Sequence, residues 1–393
     1  MDSTRVPVPS GRQRLGGHNS IATQRPQLLA ALLAVAFCLV VTAAVVVSPA
    51  QPSPANVLEP RPGRPTAIGA PTEAEAKAEG KPDMWGAGTP GSLNRGGRAR
   101  PSPAFSQYVK TTKSAKLSRM GCAEGRRLRG SKDPEGAIVV LAFGRPTQKG
   151  KGRGHDWGTS LFRRGFHPTS DIQRAAQAYG EGAWKCMGEG SASAHLTVGI
   201  GTSNFGRGVS YWHGQAWATM VNEANDWAAQ KGYSQHVRFA GANDIELSWG
   251  GPGRTRAWVR GYDSVARWPY FDYGDAAACP PRGDCHGAWT VDDVWYVAWG
   301  ARSARPLPEI YNPSGIMAEQ WYRLSLYSAR RHGSRMLIAG VMSQRAACRQ
   351  SRDPCRGMNN TPAKAWHQLH RWLNRDRRTA QDLRWSTDIA WSD

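Results

Sequence analysis

The sequence predicts an α/β fold over residues 105–393, namely a (β/α)8-type TIM barrel. Short apolar runs typical of buried parallel strands alternate there with longer segments of helical periodicity. Seven candidate strands favour a closed barrel over a doubly wound sheet. No eighth strand is evident. The barrel is therefore expected to be irregular, or to take that strand from the cysteine-bearing stretch before Ala137.

The predicted strands are apolar runs of ordinary strand length. They cover residues 137–143, 195–201, 237–245, 270–273, 294–299, 336–341 and 383–389. The segments between them predict helices, because they keep apolar residues on one face or start with a capping residue. These helices are expected at residues 171–184 with Asp171 as the N-cap, and at 214–231, 255–265, 315–331 and 362–376.

An apolar segment near the start of the chain predicts a membrane anchor. Residues 28–48 carry no charge and are long enough to span a bilayer as a helix of about 20 residues. Four basic residues predict that residues 1–27 are a cytoplasmic tail: Arg5, Arg12, Arg14 and Arg25. A cleaved signal peptide is the alternative, because small residues surround Pro49. The apolar core exceeds the ~7–15 residues of such signals, which favours an uncleaved anchor.

Residues 49–104 are rich in Pro, Gly, Ala and charged residues and show almost no apolar periodicity. Such a segment cannot bury enough surface to fold, so it predicts a disordered linker. The chain is therefore expected to be a single-pass protein of the cell membrane with an extracytoplasmic barrel. If the apolar segment is cleaved, the protein is secreted.

Cysteine usage agrees with export. Six of the seven cysteines follow the apolar segment, and an even number in an oxidising compartment indicates disulfides. Six cysteines allow fifteen pairings. Proximity in sequence favours two short local bridges, Cys279–Cys285 and Cys348–Cys355, and the two remaining cysteines would then form the long-range bridge Cys122–Cys186. A zinc site around Cys279 and His286 is the alternative, but no second cysteine or histidine pair completes four ligands.

The formal net charge is +21, from 51 basic and 30 acidic residues. Such an excess ordinarily indicates nucleic-acid binding, and export argues against it. Residues 330–384 hold thirteen Lys or Arg against three Asp. Outside a cell this region is expected to meet anionic cell-wall polymer or lipid headgroups. The alternative is a solvated surface of an arginine-rich chain with no partner.

Acidic residues at the carboxyl ends of strands would gather at one mouth of a barrel, where barrel enzymes carry their chemistry. The candidates are Asp244, Glu246, Asp272, Asp275, Glu309 and Asp388. Asp244 and Glu246 are two residues apart, so both would lie on one face of a strand with Cβ atoms about 7 Å apart. Two acids this close rarely titrate alike, as general acid catalysis of sugar cleavage requires.

Glu246 is the preferred proton donor, because the apolar residues before it predict a poorly solvated carboxyl with a raised pKa. Asp244 would orient Glu246 or stabilise positive charge at the sugar carbon, and Glu309 would be the second catalytic carboxylate. The alternative for the pair is structural, as a loop cap or as a buried ion pair with one of three arginines: Arg238, Arg254 or Arg256.

The chain contains 17 tryptophans, and sugar rings pack on aromatic faces. Six residues near the predicted strand ends are expected to bind substrate: Asn243, Trp249, Asp275, Trp299, Tyr311 and Asp388. Asp275 and Asp388 have an alternative role in turns or caps. The ten histidines show no metal-ligand spacing. The run that begins at Gly199 is not a dinucleotide-binding fingerprint, because Asn204 stands where that motif requires its third glycine. No metal and no cofactor are expected.

The Asp244-x-Glu246 pair resembles the DxE strand ending of Chalaropsis-type muramidases and of chitinases. Over about residues 135–393 the chain resembles the secreted glycoside-hydrolase-like TIM-barrel domains of actinobacteria, which implies glycan binding and cleavage. Two further aspartates precede the pair in chitinases, where this chain has Phe239 and Ala242. The muramidases also have an aspartate at the end of the first strand, where this chain has Phe143. These departures argue against either named activity.

The sequence therefore predicts a monomeric, cell-surface barrel that binds a cell-envelope or environmental glycan and is a candidate to hydrolyse it. The alternative is a catalytically inactive module of the same fold, for wall-polymer binding or adhesion. Acids about 5–10 Å apart across an open mouth would favour hydrolysis, whereas Glu246 buried against an arginine would favour the inactive module.

Overall fold

The computed structural model describes residues 101–129, 136–150, 156–162, 165–188, 195–277, 279, 285, 287–351, 355 and 357–392. The expected cytoplasmic tail, the apolar anchor and the linker up to residue 100 lie outside the described residues. No helix within these described ranges is long and apolar enough to cross a membrane.

The strands, in chain order, are β1 (Ala104–Tyr108), β2 (Ala137–Ala142), β3 (Arg145–Lys149), β4 (Asp156–Ser160), β5 (Phe166–Pro168), β6 (Leu196–Ser203), β7 (Val237–Asp244), β8 (Tyr270–Asp272), β9 (Ala304–Pro306), β10 (Gly340–Ser343) and β11 (Trp385–Trp391). Three of them, β3 to β5, form a separate antiparallel sheet. The other eight are parallel and follow one another around a nearly closed barrel in chain order. The predicted TIM-like α/β fold is therefore confirmed.

The barrel closes at two places. Parallel pairing of β1 with β11 joins the first and last strands. On the opposite side, a single parallel bridge between Glu309 and Met342 links the connection after β9 to β10. The amide of Ile310 donates to the carbonyl of Met342, and the amide of Met342 donates to that of Pro308. Glu309 is thus held by the backbone bridge that closes the barrel.

The helices are α1 (Ser114–Arg129), α2 (Thr169–Met187), α3 (Tyr211–Gln230), α4 (Pro252–Val265), α5 (Val291–Trp295), α6 (Ile316–Arg331), α7 (Arg345–Gln350) and α8 (Pro362–Leu373). A π-helical turn, Tyr296–Gly300, continues α5. The strands and the helices around them share one hydrophobic core, whose buried residues run from Ala104 to Ile389. Residues 101–393 therefore hold the complete barrel, and a fragment starting at residue 105 would remove the first residue of β1.

Among the barrel strands, one prediction is wrong and two strands were not predicted; the three strands of the small sheet, β3 to β5, were not predicted either. Residues 294–299 are helical, because Thr290 and Asp293 form a reciprocal capping box that starts α5. Their continuous apolar and aromatic residues resemble a buried strand, but the Trp295 indole donates to Ser328 of α6. Strands β1 and β9 were not predicted, since β1 carries polar residues and β9 has only three residues.

Smaller boundary errors concern three further elements. Strand β10 begins at Gly340, four residues after the start of the run predicted at 336–341. The N-cap of α2 is Pro168, so Asp171 lies in the first helical turn, where it pairs with Arg174. Helix α8 ends at Leu373, and not at residue 376, with Asn374 as its C-cap.

The predicted disulfide pairing is confirmed: Cys122–Cys186, Cys279–Cys285 and Cys348–Cys355. The first bridge joins α1 to α2, which lie unusually close. A Cβ atom placed on Gly182 of α2 would sit 2.1 Å from the carbonyl oxygen of Ser118 on α1. Only glycine permits this approach, because any side chain would overlap the facing backbone. The zinc alternative at Cys279 is excluded, since its thiol is in a disulfide.

A buried histidine links the small antiparallel sheet to α3 and α4. The imidazole of His213 is completely buried, with Nε2 3.0 Å from the carbonyl oxygen of Gly158, and its Nδ1 accepts from the Trp258 indole at 2.9 Å. A neutral ring protonated on Nε2 satisfies both contacts. Burial lowers the pKa of His213 to about 4, so the ring is neutral at pH 7.

We expect His213 to make stability fall with acidification. Its folded pKa of about 4 lies below the unfolded value of 6.5, so the unfolded chain binds the extra proton as the pH falls from 6.5 to 4. The loss is on the order of 3 kcal/mol for such a shift. Urea unfolding of wild type and His213→Gln across this range measures it. Equal pH slopes in the two proteins would contradict the assignment.

Candidate active site

Three carboxyl groups meet at the carboxyl end of the barrel. Asp244, Glu246 and Glu309 each place a carboxyl oxygen within 4.8 Å of the other two. Asp244 ends β7, Glu246 follows it by two residues, and Glu309 lies after β9. The closed barrel brings the β7 and β9 ends together across β8. All three predicted catalytic residues therefore lie in one cluster, referred to below as the carboxyl cluster.

The alternation of side chains along β7 decides which residues face the barrel interior. Phe239 packs against Gly180 of α2, and Gly241 lies against Tyr262 of α4, so this set of side chains faces the helices. Asp244 belongs to the other set and faces the interior. Asn243 therefore points to the helix side, where it is fully buried. The structure does not place the predicted substrate-binding Asn243 beside the carboxyl cluster.

The backbone of Glu246 is held by Asn204, a buried residue just after β6. The Asn204 side chain donates to the Glu246 carbonyl at 2.9 Å and accepts from the Glu246 amide at 3.2 Å. Strand β7 ends at Asp244, so Glu246 owes its direction to this two-point contact and not to strand alternation. Sequence reasoning treated Asn204 only as a mismatch to a glycine motif and did not find this role.

The connection after β8 packs between those after β7 and β9. Gly274 accepts from the Glu309 amide at 3.1 Å, and the Asp275 amide donates to Ile245 at 3.2 Å. The Asp275 carboxylate accepts from the Leu247 amide at 3.3 Å. A Cβ atom on Gly274 would lie 2.1 Å from the Ile245 carbonyl oxygen, so this close contact needs glycine. Asp275 thus supports the cluster from a neighbouring loop.

The carboxyl cluster is electrostatically unfavourable in its ionised form. Burial, and then the charge of Asp275, raises the pKa of Glu246 to about 7. Burial is also the main cause that raises the pKa of Asp244 and of Glu309, and the neighbouring carboxylates raise both pKa values further. Asp244 and Glu309 therefore titrate as a pair and hold a proton at a pH where exposed carboxyls are ionised.

No arginine or lysine forms an ion pair with the carboxyl cluster in the part of the chain that the structure describes. Arg256, one of the three arginines considered as partners, instead pairs with Asp293 at 2.6 Å. A buried carboxyl without a cation beside it is kept neutral by a proton at a pH where exposed carboxyls are ionised. This is the condition that a general acid needs.

Two tyrosines, the partly buried Tyr108 and the buried Tyr311, lie close enough to the cluster for its charges to raise their pKa values. Burial first, and then the charges of Asp244 and Glu309, raises the pKa of Tyr108 at the end of β1. Tyr311 is also buried, and its pKa is raised by burial and then by Glu309. Within the described residues, its hydroxyl has no hydrogen-bond partner of ordinary geometry. Tyr311 was predicted at the site, whereas Tyr108 was not, because β1 itself was not recognised.

Two exposed aromatic side chains form a rim above β6 and β7. Trp249, which was predicted to bind substrate, is 39% exposed, and Phe205 is 44% exposed. Their rings meet edge to face, with centroids 5.9 Å apart. The Arg145 guanidinium lies 6.0 Å from the Phe205 ring. Phe205 was not predicted, although its position directly after a strand is the signal that could have identified it.

Two other predicted substrate-binding residues lie elsewhere. Trp299 is in the π-helical turn before β9, at the amino end of the barrel, with Arg305 5.7 Å from its ring. Its prediction as a platform at the mouth is wrong, because the segment is helical. Asp388 faces α7, where it accepts from Ser343 at 2.7 Å and from the Ala346 amide at 3.1 Å. Its carboxylate caps that helix and does not join the cluster.

A surface cleft of about 520 Å³ lies away from these residues, beside α3. It is lined by Trp157, Thr169, Trp212, Gln215, Ala216, Thr219, Met220, Glu223 and Val265. None of the acids at the mouth contributes to it. The chemistry of the carboxyl cluster therefore belongs to the barrel mouth and not to this cleft.

The geometry of the cluster would also suit an oxygen-ligated divalent cation, since three carboxyl oxygens within 4.8 Å can share one ion. Protons and a cation relieve the same repulsion, and they differ in what removes them. A chelator strips the cation, whereas rising pH removes the protons.

No family model matches the chain, and no curated protein matches it either.

Proposed function

We propose that this barrel hydrolyses a glycosidic bond, with Glu246 as the general acid. One observation carries the proposal: a carboxyl with a pKa of about 7 stands within 4.8 Å of two more deeply buried carboxyls at the mouth of a TIM-like barrel. Glu246 is only partly buried, while Asp244 and Glu309 are almost fully buried. Glu246 is therefore the member of the cluster that a substrate can reach.

The proton on Glu246 would pass to the glycosidic oxygen as the bond to the sugar carbon breaks. Positive charge then develops at that carbon, and Asp244 and Glu309, which share one proton between them, stabilise it with the one negative charge of the pair. Water then adds to the carbon and gives its proton to the Glu246 carboxylate, which restores the acid. The carboxyl oxygens lie within 4.8 Å of one another, closer than the roughly 6.5–9.5 Å between the two carboxyls of an inverting enzyme, which argues against Asp244 as the base of an inverting reaction. Glu309 carries part of the negative charge that it shares with Asp244.

The substrate class is inferred from the exposed aromatic side chains beside Glu246 and from the disulfides. The exposed Trp249 and Phe205 rings can stack on the apolar faces of sugars next to Glu246. Three disulfides agree with an oxidising compartment. We therefore place the barrel outside the cell, attached through the predicted anchor at residues 28–48, with a cell-envelope or environmental glycan as substrate. The protein acts as a monomer.

The direct test is release of reducing sugar by residues 101–393 from peptidoglycan and from a panel of polysaccharides. Activity on at least one polymer is expected, and it should survive a chelator because the cluster relies on protons. Complete loss of activity in the presence of a chelator would indicate that the carboxyl cluster binds a cation and that the reaction depends on it. No release from any polymer, combined with retained binding, would instead support the inactive wall-binding module.

We expect activity to fall as the pH rises above about 7. Glu246 must be protonated to act as an acid, and burial sets its pKa to about 7, so the protonated fraction drops tenfold for each further pH unit. The measurement is kcat/KM for the best substrate between pH 5 and 9. A profile that stays flat up to pH 9 would contradict the role of Glu246 as the acid.

A further inference from the structure

The amino-terminal end of the barrel, opposite the carboxyl cluster, carries a dense group of arginines. Six exposed arginines lie at the carboxyl ends of α6 and α8 or in the connections that follow them: Arg330, Arg331, Arg371, Arg375, Arg377 and Arg378. This set is called the basal patch below. Over residues 330–335 and 371–384 the acids are Asp376 and Asp382, and Asp292 of α5 adds a third beside His332, at 3.3 Å.

Contacts between the two connections show that the basal patch is one surface. Helices α6 and α8 pack together, with Tyr322 stacked on Trp372 at 5.4 Å. The Arg378 guanidinium, and more weakly Arg330, holds the pKa of Asp376 below its usual range. Arginines from both helix ends therefore act on the same aspartate, which is paired with Arg378 and leaves the patch with a large positive excess.

An exposed leucine lies in the connection that follows Arg330 and Arg331. Leu337, in the connection between α6 and β10, is 46% exposed. The Gln381 side chain holds the backbone on both sides of it, accepting from the Ile338 amide and donating to the Met336 carbonyl, each at 2.8 Å. Arg335 also donates to the Ala380 carbonyl and ties the two connections together. These hydrogen bonds fix the backbone on both sides of Leu337, whose side chain is exposed.

We infer that the basal patch docks on an anionic phospholipid surface. Exposed arginines are attracted to lipid phosphates, and an apolar side chain among them gains by entering the headgroup region. A soluble polyanion would use the arginines but would gain nothing from Leu337.

Docking in this direction would turn the carboxyl cluster away from the lipid, since strands run from the basal end to the mouth. The docked barrel would then present Glu246 to polymer lying beyond the membrane. The inference concerns orientation and does not depend on hydrolysis, so it can hold even if the proposed activity is not found.

The test uses residues 101–393 and sedimentation with vesicles of phosphatidylcholine, with or without phosphatidylglycerol. We expect binding only when phosphatidylglycerol is present, with a strong decrease as salt increases. Arg330→Glu, Arg331→Glu and Arg371→Glu combined should weaken this binding at least about tenfold. Leu337→Ser should weaken it about fivefold and leave the salt dependence unchanged.

The matched control reverses three exposed basic residues at the mouth end: Arg254→Glu, Arg349→Glu and Lys364→Glu. It changes the net charge equally, and it should keep vesicle binding close to that of the wild type. Equal losses in both triple variants would overturn the inference, because binding would then follow net charge alone. Soluble polyphosphate that binds as tightly as the vesicles, with no effect of Leu337→Ser, would also overturn it.

Discussion

Glu246→Gln is expected to lower kcat by about 10² to 10⁴ on any glycan that the wild type cleaves, because a general acid contributes a factor of this size. The amide keeps the shape of the side chain and its backbone contacts with Asn204, so substrate binding should change little. The variant should also lose the decline in activity above about pH 7 that the Glu246 carboxyl causes. Initial rates and pH profiles measure both effects.

The control is Glu223→Gln, which makes the same chemical change at an exposed position on α3, away from the mouth. Its activity should equal that of the wild type. Stability separates a catalytic effect from a folding defect. Removing a buried carboxyl whose pKa is raised should leave Glu246→Gln at least as stable as the wild type above pH 7. Undiminished activity in Glu246→Gln would remove this residue from the mechanism.

Replacing Cys122 and Cys186 by alanine is expected to lower the free energy of unfolding by about 4 kcal/mol, on the loop-entropy estimate for a long loop. The two cysteines are 64 residues apart, and their bridge restricts the unfolded chain over β2 to β5 and α2. The bridge also holds α1 against α2 where glycines allow backbone contact. Urea unfolding under non-reducing conditions measures the loss.

The matched comparison replaces Cys348 and Cys355, which are only 7 residues apart. The same estimate gives a loss of about 2 kcal/mol for so short a loop. Both variants remove one bridge and two sulfurs, so the difference isolates the effect of loop length. A larger loss for the short loop than for the long one would show that local packing, and not chain entropy, determines the contribution of these bridges.

Periodicity was sufficient to predict the TIM-like barrel, because buried parallel strands leave continuous apolar runs. Strands β2, β6, β7, β8 and β11 were located within a few residues on that basis. The strand predicted at residues 294–299 was wrong, since a short run of apolar and aromatic residues also suits a helix packed on α6. Strand β1 was not recognised because its polar Ser106 pairs with Thr387, a partner distant in sequence.

The three carboxyl residues were also identified from the sequence, because acids directly after apolar runs are expected at the mouth of a parallel barrel. The roles of their neighbours were not. Asn204 orients Glu246 through contacts between separate connections, and Tyr108 comes from an unrecognised strand. Asp388 satisfies the same sequence rule as Glu309, but it caps α7, and only the fold distinguishes the two.

The sequence by itself determined the barrel class, the disulfide pairing and the acids to consider, because each depends on local pattern or proximity. The tertiary structure decided that Asp244, Glu246 and Glu309 meet within 4.8 Å and that burial raises the pKa of each. It also decided that the arginines of α6 and α8 form one surface at the opposite end. The reason is physical: burial and the distance between charges arise only when separate strands and helices are brought together.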